Sequence, residues 1–147
     1  FWGFDARYVT YAETRGFSES GFAADGSVKG FGWENIWALS TGLELQPAAR
    51  VVARLGYNYS GNPIPDAMTM FNAPAPAIVQ HHATMGLGYR FEGGFAVDVA
   101  YYHAFENSIS GPMQTPAGPM AGTQVKSSLS EHSILMGFSF APGAAKK

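Results

Sequence analysis

Apolar side chains recur at every second position along most of this chain, and the charges fall in the gaps between them. Six segments carry the alternation: Trp2 to Glu13, Glu34 to Gln46, Arg50 to Tyr59, His81 to Phe91, Phe95 to Glu106 and Glu131 to Phe140. A period of two places successive side chains on opposite faces of an extended strand, so each segment reads as a β-strand with one apolar and one polar face. No helical stripe competes, and clusters of Gly, Pro, Asn and Ser separate the segments. The expected fold class is all-β and antiparallel.

Splitting each segment by parity sharpens the reading. Trp2, Phe4 and Tyr8, then Leu39, Leu43 and Leu45, then Val51, Leu55 and Tyr57 belong to the apolar rows. Met85, Leu87 and Tyr89, then Val97, Val99 and Tyr101, then Ile134, Met136, Phe138 and Phe140 continue them. The opposite rows hold Asp5, Arg7, Glu13, Glu34, Glu44, Arg50, Arg54, Arg90, Asp98, Glu106 and Glu131, together with small residues such as Gly42, Gly56, Gly86 and Gly88. A Lys or Arg on the lipid face of a membrane barrel costs about 2–4 kcal/mol at mid-bilayer, whereas the lumen tolerates charge. Segregation of this kind is what a bilayer-facing row requires, and a row of small residues leaves room inside a barrel.

Length and spacing point the same way. The segments run to about ten residues or more, against five or six for strands of soluble proteins, and ten tilted residues cross a bilayer. Gln46-Pro47-Ala48-Ala49 and Glu92-Gly93-Gly94 read as tight turns, whereas Thr14 to Trp33, Ser60 to Gln80 and Asn107 to Ser130 read as long loops. Short turns on one side and long loops on the other are the habit of outer-membrane barrels, with both termini here on the short-turn, periplasmic side. Aromatics gather toward segment ends, Trp37, Tyr57 and Tyr59 by the long loops and Tyr89, Phe91, Phe138 and Phe140 by the short turns.

Composition agrees. Apolar residues make up 46% and charged residues 14% of the 147, whereas a soluble domain carries about 25% charge. With 9 Lys+Arg against 11 Asp+Glu there is no basic field for nucleic acid, and without cysteine there are no disulfides or thiolate metal sites. No run of apolar residues is long enough for a membrane-spanning helix. An antiparallel sandwich or calyx, its apolar rows facing an internal core, shares the alternation and stands as the soluble alternative.

Three stretches carry a family resemblance: Arg54 to Asp66 (RLGYNYSGNPIPD), Thr84 to Phe105 (TMGLGYRFEGGFAVDVAYYHAF) and His132 to Phe140 (HSILMGFSF). They resemble the C-terminal strands of FadL-type outer-membrane transporters of long-chain fatty acids and, in some relatives, toluene-like hydrocarbons. The resemblance implies a barrel of about 14 strands, an N-terminal hatch in the lumen, a substrate pocket and a lateral opening. Six strands and no hatch are present here, so the resemblance implies that residues 1–140 are the C-terminal portion of the barrel. The remaining strands would come from the same longer chain or a partner chain, and residues 141–147 would form a short periplasmic tail. Phe138 and Phe140 match the terminal aromatic pattern of the family's last strand.

The candidate substrate contacts follow from side-chain chemistry. Met68, Met70 and Phe71 in one long loop, and Met113 and Met120 in another, are flexible or aromatic groups suited to a promiscuous greasy docking surface; packing of the loops on each other is the competing role. Arg7, Arg54 and Arg90 on the polar rows could grip a fatty carboxylate with a bidentate fork, or form an internal ladder with Asp5, Glu44, Asp98 and Glu106. Tyr102, on the polar row between Ala100 and Ala104, joins them. His81, His82, His103 and His132 lack metal-ligand spacing, His81 and His82 pointing to opposite faces. No nucleophile elbow is present, although a Ser133–His pairing across strands is possible in principle.

The expected function is passive uptake of hydrophobic small molecules, long-chain fatty acids or hydrocarbons, across the outer membrane of a Gram-negative bacterium. Lipid or lipopolysaccharide would surround the chain, and no cofactor, metal or covalent chemistry is called for. A structural or interaction role in an outer-membrane assembly is the alternative, with a barrel-embedded hydrolase third.

Overall fold

The computed structural model describes residues 1–141; the expected tail lies outside the described residues after Ala141. Six long strands form one antiparallel sheet in the order β1-β2-β3-β4-β5-β8: β1 (Trp2–Val9), β2 (Ile36–Ala48), β3 (Val51–Ser60), β4 (His81–Arg90), β5 (Phe95–Gly111) and β8 (Val125–Phe140). A two-rung hairpin of β6 (Gln114–Thr115) and β7 (Gly118–Pro119) fills the last connection. The chain is all-β, as the alternation predicts. Among the described residues the sheet is open, with β1 and β8 as its edges.

The Glu92-Gly93-Gly94 turn falls where the sequence places it, whereas the first tight turn is Ala49-Arg50: β2 runs on through Gln46, Pro47 and Ala48, its register shifting between Leu45 and Ala48. Arg50 sits in the β2–β3 turn, and its guanidinium pairs with Glu92 of the β4–β5 turn, tying the two turns together. Gly93 and Gly94 both adopt φ near +90°, a conformation only glycine takes readily. A β-carbon on Gly94 would also meet the carbonyl oxygen of Ala141.

The largest differences from expectation lie in two places. The first strand ends at Val9, and Tyr11–Glu13 form a 3-10 turn whose Ala12 N–H donates to Asn35 Oδ1. More instructively, Asn107 to Ser130 is not one long loop: β5 runs on to Gly111 and β8 begins at Val125. A bulge conceals this. Phe105 and Glu106 together stand against Ser130, so Asn107 pairs with Leu129 directly after Ala104 pairs with Glu131. The extra residue flips the parity of β5, turning Ile109 to the face that Ala104 occupies below it.

Register fixes which residues share a face. Trp2, Leu43, Leu55, Met85, Tyr101 and Ile134 lie opposite one another in turn across all six strands. The next positions along, Gly3, Gly42, Gly56, Thr84, Tyr102 and Ser133, make a row on the other face, and Asp5, Ser40, Asn58, His82, Ala104 and Glu131 make another. Asp5, Arg7, Glu44, Arg54, Arg90, Asp98 and Glu131 all share that polar face. Glu106 falls in the bulge, and Lys126 lies on the opposite row, high in the extended β5–β8 hairpin.

Burial is inverted relative to a soluble domain. Large side chains on the apolar face are exposed, Leu87 at 63% and Ile134 at 75%, with nothing among the described residues covering them. The buried core is small and lies at the long-connection end, where Ile64, Ile78 and Ile109 pack with Trp33, Met68 and Leu129. Ile109 and Leu129 belong to the polar-face rows of the hairpin, so the long connections fold over that face and leave the apolar one bare.

Candidate functional site

The polar face carries two clusters, one toward the short turns and one toward the long connections. In the first, Arg54 reaches in both directions: its Nε donates to Glu44 on β2 and its Nη1 to Asp98 on β5, each at 2.7 Å. The second contact passes over β4, and Gly86 and Gly88 are what allow it. A β-carbon on Gly88 would lie 2.3 Å from Asp98 Oδ1. Of the two roles the sequence leaves open for Arg54, the geometry shows the ladder, both arms being engaged by Glu44 and Asp98. Arg7 is likewise held by Asp5 at 2.7 Å. Arg90 differs: it sits at the short-turn end of the same face, exposed, with no carboxylate partner among the described residues.

The second cluster spans β2 to β5. Asn58 Nδ2 donates to Ser40 Oγ at 2.7 Å, and its Oδ1 lies 3.1 Å from His82 Nδ1. Since that oxygen only accepts, the proton between them belongs to His82 Nδ1. His82 stacks on Tyr102 with ring centroids 5.5 Å apart and planes 22° from parallel. These residues, with Gly56 and Thr84, line a depression of about 290 Å³ on the polar face. Tyr102 therefore lines this depression, together with Ser40, Asn58 and Thr84, which sequence reasoning passed over, and His82, which it weighed only as a metal ligand. Ser40, Asn58 and His82 lie at matched height on neighbouring strands, a relation visible only once the register is known.

The loop candidates separate into two groups. Phe71 is buried in the short helix α1 (Thr69–Asn72) and meets Phe22 edge-on at 5.3 Å. Met68 packs against the isoleucine core, and Met70 offers its sulfur to the Gln114 N–H at 3.2 Å. For these three the packing role is the observed one. Met113 and Met120 remain exposed beside the β6–β7 hairpin, joined by a backbone hydrogen bond. The sequence reading also passed over the first long connection, where Tyr11, Phe17, Phe31 and Trp33 form a continuous aromatic cluster with centroids 4.9–5.8 Å apart. Asn72, 1% exposed, pins that connection to the second: Trp33 Nε1 donates to its Oδ1 at 2.6 Å, and its Nδ2 donates to the carbonyls of Phe31 and Met68.

His81, His103 and His132 lie on the apolar face, opposite to His82. Tyr57 pairs with His81 and Tyr101 with His132 through hydroxyl–Nδ1 contacts, and the His103 and His132 rings are 4.4 Å apart. Among the described residues no three His, Cys, Asp or Glu side chains gather to hold a metal ion. No serine hydroxyl there meets a histidine nitrogen: Ser133 donates to Glu131 at 3.1 Å, and Asn58 stands between Ser40 and His82. No helix among the described residues is long and apolar enough to cross a membrane. The chain matches no family model, no curated protein and no solved structure.

Proposed function

We propose that this chain forms part of the wall of a Gram-negative outer-membrane β-barrel, with its apolar face toward acyl chains and its polar face lining a lumen. Through that lumen hydrophobic small molecules, long-chain fatty acids or hydrocarbons, move passively down their gradient. The observation that carries the reading is the uncovered apolar face and the way it ends. Toward the long connections it finishes in Tyr57, Tyr59, His81, His103 and His132; toward the short turns it finishes in Tyr89, Phe91, Phe95, Phe138 and Phe140. From His81 at the start of β4 to Phe91 just past its end is ten steps. At about 3.4 Å per residue and a tilt of about 40°, that is about 26 Å, against an apolar band of about 25 Å on such barrels.

The charged face supports a lumen rather than a second apolar contact, because Glu44, Arg54 and Asp98 compensate one another there. Exposed Met113 and Met120 at the tip of the β5–β8 hairpin give an arriving greasy molecule a first contact. The resemblance to FadL-type transporters supports the same substrate class.

The test is uptake of radiolabelled laurate by Gram-negative cells producing the chain, compared with cells carrying an empty vector. Faster entry supports the reading; equal rates together with a membrane-inserted protein contradict it. A scaffolding role in a larger membrane assembly is favoured by a separate observation, the unpaired edges of β1 and β8. Backbone groups cannot stay unpaired in lipid, so on either reading strands from the same longer polypeptide or a partner chain must meet them.

A further inference from the structure

The Ser40–Asn58–His82–Tyr102 depression has a chemistry that a pure hydrocarbon would leave unused. Asn58 spends its amide on its two neighbours, which orients both of them. Ser40 Oγ receives the Asn58 hydrogen bond and keeps its own proton to donate, and in its neutral form His82, with Nδ1 protonated toward Asn58, has Nε2 as an acceptor. The hydroxyls of Thr84 and Tyr102 have no hydrogen-bond partner among the described residues, and Gly56 makes room for the Thr84 hydroxyl, which would lie 2.5 Å from a β-carbon there. The site thus presents donors and acceptors within one concavity and, beside them, the flat face of the His82–Tyr102 stack. At about 290 Å³ the depression lies at the lower end of small-molecule sites, enough for one ring with short substituents.

We propose that this depression is a selectivity site for hydroxylated single-ring aromatics of the phenol or catechol type. The ring lies on Tyr102 beside His82 and in its plane, a ring hydroxyl donates to His82 Nε2, and Ser40 or Thr84 donates to a hydroxyl oxygen. The inference rests on the reading that this face lines the lumen, and it narrows the substrate class of the proposed uptake to molecules with an apolar ring and a polar edge.

The test is calorimetric titration of the detergent-solubilised full chain with catechol and with toluene, two rings that differ in their hydroxyls. Binding of catechol at least tenfold tighter than toluene, with that ratio falling toward one in His82→Phe and Asn58→Leu, supports the site. Equal binding, or a ratio that both variants leave intact, overturns it. Thr84→Val keeps the side-chain shape and removes only a hydroxyl; it is expected to lower the ratio by three- to tenfold, and provides the answer if the other variants do not fold. Laurate uptake by the unaltered chain is scored separately: catechol selectivity without uptake removes the transport reading and keeps the site, whereas uptake without selectivity removes the site alone.

Discussion

Gly88 lies directly beneath the ion pair of Asp98: a β-carbon added to the glycine would stand 2.3 Å from Asp98 Oδ1 and 3.5 Å from Arg54 Nη1. The glycine is thus a clearance through which Arg54 on β3 reaches a carboxylate two strands away. Gly88→Ala is expected to push Asp98 off Arg54 and to destabilise the sheet by about 1–2 kcal/mol, the order of an overpacked contact. Urea unfolding of the micelle-bound protein checks it, and Gly88→Ala combined with Asp98→Ala is expected to be no worse than the single change.

The two candidate arginines should part company. Arg54→Gln leaves Glu44 and Asp98 without their shared cation, so its main effect is expected on stability, and Glu44→Gln should partly restore it. Arg90→Gln removes a guanidinium that no carboxylate engages among the described residues. It is expected to slow uptake of laurate by about three- to tenfold relative to toluene, the selectivity of a charge-assisted hydrogen bond. Equal slowing of both molecules would take Arg90 out of carboxylate recognition.

Asn72 is the joint between the first two long connections. Asn72→Leu fills the same space but strands the Trp33 indole N–H and the Phe31 and Met68 carbonyls, at about 1–3 kcal/mol for each group left buried and unpaired. Limited proteolysis is the direct measurement: residues 14–33 are expected to become the first cleavage region. An unchanged digestion pattern would show that the aromatic cluster of Tyr11, Phe17, Phe31 and Trp33 holds this connection by itself.

The methionines divide by exposure. Met113→Ser with Met120→Ser is expected to slow capture of hydrophobic substrate two- to fivefold without changing thermal stability. Phe71→Ala is expected to lower stability by about 3 kcal/mol as a buried aromatic lost from contact with Phe22. Paired uptake and melting measurements separate the two roles.

Much of the sheet is legible in the sequence. Parity alone puts Leu43, Leu55, Met85, Tyr101 and Ile134 on apolar rows, and the register joins them into one line. Parity failed where its phase broke: the Phe105–Glu106 bulge made the upper half of β5 read as loop, and the serines of the hairpin reinforced that reading. Asn58 and His82 were hidden for another reason. They face each other across β3 and β4, which are joined by twenty residues of folded connection, so no tight turn tells a reader which positions meet. Asn72 and Trp33, 39 residues apart, are linked only through tertiary packing.

The orientation of the two faces is the claim beneath all the others, and the absence of cysteine makes it measurable by single-site labelling. Nitroxides placed at Leu87→Cys, Val99→Cys and Ile134→Cys, and at Thr84→Cys and Ser133→Cys, can be read in lipid bilayers by collision with oxygen and with a water-soluble nickel chelate. The expected result is high oxygen and low nickel accessibility for the first three, with the opposite for the last two. Nickel reaching Leu87, Val99 and Ile134 as freely as Thr84 would contradict the account.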